Sequence, residues 1–98
     1  MKLYRYQRDT SDESWIELFP IELIEFETIK ETEKGYWIEV LGKLKFVLKS
    51  QTGKRFAYET KEAALENFKA RTRRSIIIAK NMANISEEYL KKADEIIL

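Results

Sequence analysis

The sequence predicts an α+β fold, an antiparallel β-meander of four to five strands followed by a long C-terminal helix that is either continuous or broken. Two observations carry this. Up to residue 58, apolar side chains recur at every second position between short turn-rich breaks. From Thr60 onward they recur at every third or fourth position, the period of a helix. A chain of 98 residues makes one domain, 1–98, with a sheet part at 1–59 and a helical part at 60–98.

Residues 2–8 alternate around Leu3, Tyr4 and Tyr6 and read as a first strand. Asp9, Thr10, Ser11, Asp12, Glu13 and Ser14 then make a polar loop, and residues 15–19 a short apolar piece closed by Pro20. In the strand at 22–31, Ile24, Phe26 and Thr28 take one face and Glu25 and Glu27 the other. Glu33-Lys34-Gly35 turns into a strand at 36–41, with Tyr36, Ile38 and Val40 on one side and Trp37 and Glu39 on the other. After Gly42-Lys43, the residues Leu44, Phe46 and Leu48 alternate with Lys45, Val47 and Lys49. Residues 51–54 end that strand, and 55–58 form a last short one. The short connections favour neighbours in sequence pairing as neighbours in the sheet.

Thr60 is a good N-cap, and Glu62 complements the dipole of the first turn. Leu65, Phe68, Thr72, Ile76, Ala79 and Ala83 then form one helix face, expected to pack on the sheet. A second stripe, Ile78, Met82, Ile85, Tyr89, Ala93 and Ile96, widens the apolar arc in the distal part. If the helix runs straight, that stripe is exposed and predicts a homo-oligomer. If it breaks at Asn84-Ile85-Ser86, with Ser86 capping a second helix at 87–97, the second piece folds back on the first. The sequence leaves both arrangements open.

Charge is the feature that points to a partner. Residues 34–80 carry twelve Lys/Arg against four Asp/Glu, while both flanking stretches are acidic, so the net charge of +1 hides an internal dipole. One basic cluster is Lys69, Arg71, Arg73 and Arg74, spread around the exposed side of the helix. Its functional reading is contact with phosphate or with an acidic protein, and its plain reading is a solvated helix face. The other cluster is Lys43, Lys45, Lys49, Lys54 and Arg55. Lys45 and Lys49 share a strand face with Val47. Were Trp37 on that face too, a flat ring beside ammonium groups could stack a base and hold its phosphate. The plain reading is a solvent-facing strand whose lysines discourage edge pairing. Tyr58 and Thr60 flank the helix start, where free amides with Arg55 and Lys61 could hold an anion.

Other chemistries find little support. The chain has no Cys and no His, which removes thiol catalysis, Cys-based metal sites and the commonest general base. The glutamates at 22, 25, 27, 31 and 33 fit an exposed strand face, and the serines have no local base. The expectation is a non-enzymatic protein with no cofactor and no metal. No secretory signal or membrane-spanning run is visible, so the expected location is the cytoplasm.

Over residues 35–76, Gly35-Tyr36-Trp37-Ile38, Lys45-Phe46-Val47, the run from Arg55-Phe56-Ala57-Tyr58 through Leu65, then Phe68 and the arginines at 71, 73 and 74 resemble a group of small uncharacterised bacteriophage proteins. That group is expected to carry Pro at the place of Glu59 and a more regularly charged, continuous helix beyond Arg74. The resemblance implies the cytoplasm of an infected bacterium, where small accessory proteins redirect or block host machinery. The resulting expectation is a binding protein that antagonises a host factor, such as a defence system. It would either sequester an anionic nucleotide or mask an acidic protein surface, through Trp37, Lys45, Lys49, Arg55, Tyr58, Arg71, Arg73 and Arg74. Two alternatives stand beside it: a nucleic-acid-binding module using the basic 43–74 segment, and a structural or assembly protein oligomerising through the helix.

Overall fold

The computed structural model describes residues 1–50 and 55–98; the strand end and turn read at 51–54 lie outside the described residues. Elements run in the order β1 (Lys2–Arg8), α1 (Trp15–Leu18), β2 (Ile21–Glu31), β3 (Gly35–Val40), β4 (Lys43–Leu48) and α2 (Lys61–Asp94). The fold is α+β: β1 to β4 form one four-stranded sheet in sequence order, every pair antiparallel. The chain divides into two compact units, Met1–Phe68 and Lys69–Leu98.

In the first unit, directly opposite residues share a sheet face, so the register sorts the side chains. Leu3 faces Phe26, Tyr36 faces Val47 and Ile38 faces Lys45 on one side. That side holds the core: Leu3, Tyr36, Ile38, Val47 and Ala57 are buried, with Phe26, Val40 and Phe56 packed against them. The glutamates Glu25 and Glu27 take the other side, as their alternation predicts. There Lys2 reaches Glu25 at 3.1 Å and Glu27 at 3.9 Å.

Two expectations are corrected here. The last short strand does not join the meander beside β4. Tyr58 instead pairs antiparallel with Tyr4, its N–H donating to the Tyr4 carbonyl at 2.9 Å and its carbonyl accepting from Tyr4 at 2.7 Å. Because β1 and β4 are opposite edges, residues 55–58 return to the β1 edge, and their Phe56 and Ala57 join the core. The Phe56 ring meets Phe26 at 5.5 Å, the Arg5 guanidinium at 4.5 Å and the Lys45 ammonium at 4.7 Å. This segment covers the core cluster, and of the expected helix face only the first part is covered: Ala64 is buried and Leu65, Phe68 and Thr72 are half-buried, whereas Ile76, Ala79 and Ala83 are exposed.

Turns and caps follow local chemistry. Thr32 closes the β2–β3 hairpin, its N–H and hydroxyl both directed at the Gly35 carbonyl (2.8 and 3.2 Å). Leu41 and Gly42 make the two-residue β3–β4 turn with φ of 52° and 78°, the signs of a type I′ turn. Phe19 ends α1 at φ 50°, donating to the Trp15 carbonyl. Thr60 caps α2 as predicted: its hydroxyl oxygen accepts from the Ala63 N–H at 3.1 Å.

The second unit is the distal part of α2 with the chain end. The helix carries no break at Asn84 to Ser86; it is one element to Asp94. Ser86 is thus interior rather than a cap, and Ile96 lies beyond the last turn rather than on the helix. Every residue from Arg73 onward is exposed. Among the described residues, no helix is long and apolar enough to cross a membrane.

Candidate functional site

The cationic residues of the sheet turn out to be largely engaged. Arg55 is the clearest case. Its side chain is 4% exposed, and its guanidinium forms an ion pair with Glu59 four residues on. It also donates to the Lys49 carbonyl at 3.3 Å and lies 4.9 Å from the centre of the Tyr58 ring. The residue expected to touch a partner is inside the domain, and the half-buried Tyr58 ring lies against it. Lys49 is tied down as well: its ammonium sits 2.9 Å from Glu31 and 5.1 Å from the centre of the Tyr36 ring. The hydrogen bond to Glu31 raises the Lys49 pKa. Lys45 rests on Phe56, and Lys61 lies over Tyr4 at 5.7 Å. Lys54 lies outside the described residues.

Trp37 does not join Lys45 and Lys49. In the β3–β4 register Trp37 faces Phe46, while Lys45 and Val47 face Ile38 and Tyr36. Parity alone puts Trp37 on the opposite side of the sheet, its ring 5.0 Å from that of Phe46. The base-stacking platform of ring and ammonium groups is not assembled. The plain reading of β4 is corrected as well. Val47 with its lysine neighbours lies on the core face, and Leu44, Phe46 and Leu48 form the open face with Trp37.

That open face was missed in the sequence, although three alternate apolar residues on an edge strand are a signal for it. In the β1–β2 connection, read as a short apolar piece, Ile16, Leu18 and Phe19 are exposed, as is Ile21 at the start of β2. The anion site at the start of α2 also loses its parts. Thr60 already serves one free amide, Arg55 is paired, and Lys61 leans on an aromatic ring.

Among the other carboxylates, Glu22 accepts from Gln7 at 2.6 Å and Glu31 from Lys49 at 2.9 Å. Among the described residues, no group of three or more Asp or Glu is placed to hold a metal ion.

The remaining candidates lie on α2. Arg71 is half-buried, whereas Arg73, Arg74 and Lys80 are exposed. From residue 67 to 86 the helix carries five Lys/Arg and no Asp or Glu. Ile76 and Ile77 lie exposed among these cations. The apolar stripe of Ile78, Met82, Ile85 and Tyr89 is exposed too. No family model matches this chain, and no curated protein or solved structure is significantly similar to it.

Proposed function

We propose that the protein acts by binding, as a phage accessory protein that antagonises a host factor in the bacterial cytoplasm by covering an acidic protein surface with α2. One observation carries this reading: the acid-free stretch at 67–86, where exposed Arg73, Arg74 and Lys80 flank the exposed isoleucines 76–78. Such a face offers charge for steering and apolar area for affinity, and an acidic protein surface presents the complement of both. A nucleotide signal would need convergent donors around a concave site. The sheet residues proposed for it, Arg55, Lys49 and Tyr58, are occupied by Glu59, Glu31 and one another. That difference favours a macromolecular partner over a small anion.

The test uses the double charge reversal Arg73→Glu with Lys80→Glu in the full chain. The intact protein should retain acidic host proteins on a column, and the variant should lose them while unfolding at the same temperature. Equal retention by the variant removes α2 from the reading. Binding of arbitrary duplex DNA, weakening steeply between low and moderate salt, would replace it with the nucleic-acid module.

A further inference from the structure

We infer that the distal part of α2 pairs with the same segment of a second copy, antiparallel, with Met82 of one chain against Ile85 of the other. The seam is written in the spacing. Ile78, Met82, Ile85 and Tyr89 follow one another at intervals of four, three and four residues, all exposed in the single chain. That alternation is the a/d pattern of a two-helix coiled coil.

Charge sets the direction. Residues 69–80 carry Lys69, Arg71, Arg73, Arg74 and Lys80 with no acid, whereas 87–95 carry four acids against Lys91 and Lys92. A parallel pair lays the cationic stretch along its own copy. An antiparallel pair lays it along the acidic one, and the arrangement closes on a two-fold axis.

The register follows from the seam. Placing the axis between residues 83 and 84 stacks Met82 on Ile85 and Ile78 on Tyr89, twice each, so four consecutive layers are apolar. The same register brings Arg74 beside Glu95 of the second copy on each flank. Sliding by one layer in one direction sets Arg71 against Tyr89 and Ser75 against Ile85. Sliding in the other sets Met82 against Lys92. Both lose apolar layers.

Arg73 and Lys80 lie on the outer side of this pair, so the seam leaves them open; the inference does not depend on the proposed partner.

The absence of Cys makes the test direct. Oxidising a mixture of M82C and I85C chains should yield the mixed disulfide dimer. Y89C alone should stay uncrosslinked, because the two copies of residue 89 lie about 11 residues apart along the axis, roughly 16 Å. Ready self-crosslinking of Y89C means a parallel pair and overturns the inference. In sedimentation of the full chain, R74E should weaken the dimer about tenfold and R74E with E95R should restore it. A chain that stays monomeric at every concentration, or a dimer unmoved by R74E, also overturns it.

Discussion

Replacing Arg55 by Ala distinguishes a scaffold residue from a contact residue. The side chain is 4% exposed and its partner Glu59 is 33% exposed, so the pair is dry on one side and wetted on the other. Removing one member of a fully buried pair costs about 3–5 kcal/mol, and the access of water to Glu59 brings the expectation to about 2–3 kcal/mol. Loss of the contact with the Tyr58 ring and of the bond to the Lys49 carbonyl acts in the same direction. In a domain this size each kcal/mol moves the midpoint by about 4–8 °C, so R55A should melt about 8–24 °C lower. Thermal unfolding followed by near-ultraviolet circular dichroism reads this. E59A should cost at least as much, since it leaves the 4%-exposed Arg55 cation without its carboxylate, and the double variant should cost less than the sum of the two. An R55A midpoint within a degree or two of the parent would refute the scaffold role and return Arg55 to the list of contact residues.

Three further outcomes follow from local geometry. Gly35→Ala should destabilise the sheet by about 1–3 kcal/mol in urea unfolding, because the new methyl would press on the Val47 carbonyl oxygen and lie 2.8 Å from Cζ of Phe46. Leu41→Asn should stabilise by about 1 kcal/mol in the same assay, because Leu41 is 98% exposed, has φ 52° and stands where a type I′ turn prefers Asn. The Asp12 carboxyl is held below its ordinary value by hydrogen bonds from the Ser14 hydroxyl and N–H. Its contribution to stability is therefore present above the unfolded pKa and lost as pH falls through the lower folded one. Ser14→Ala should raise the Asp12 titration seen by carbon-13 NMR and flatten the acid side of the stability profile.

The local layers of this fold were legible and the non-local ones were not. Alternation located β2 and β3, where Ile24 and Phe26 oppose Glu25 and Glu27, and Tyr36, Ile38 and Val40 oppose Trp37 and Glu39; β1 was read from alternation around Leu3, Tyr4 and Tyr6. The cap at Thr60 followed from a hydroxyl ahead of a helical period. β4 was located too, but not its inward face, because both of its sets are partly apolar and only the register to Tyr36 and Ile38 decides that Val47 goes inward. The return of 55–58 to β1 rests on a single bridge at Tyr58, which leaves no periodicity to read. Arg55 followed Lys54 and looked like surface charge. The usable signal was Glu59 at the i+4 position, with Tyr58 beside it. The break at Asn84 to Ser86, one of two arrangements the sequence left open, rested on propensities of about 0.5 kcal/mol per residue, which a cooperative helix absorbs in its interior.

That absorption has a consequence for the distal helix. From Arg73 to Asp94 no residue is buried, so in the single chain tertiary burial contributes nothing to keeping this segment helical. Its sequence is a poor helix former on its own, with three consecutive isoleucines at 76–78 and Asn81, Asn84 and Ser86 further on. The exposed Lys91–Glu88 pair at 3.3 Å contributes only about 0.3 kcal/mol. Propensity alone gives such a segment little stability, so a surface closing on it would add most of what keeps it ordered. If that surface is the second copy, ellipticity at 222 nm should fall as the protein is diluted through its dimer dissociation constant. Ile85→Lys should show the lower value at every concentration while near-ultraviolet signals from Trp37 and Tyr36 stay unchanged. Ellipticity that is constant on dilution through the dissociation measured by sedimentation would mean that the helix stands without a partner, and the link between its order and its pairing would be wrong.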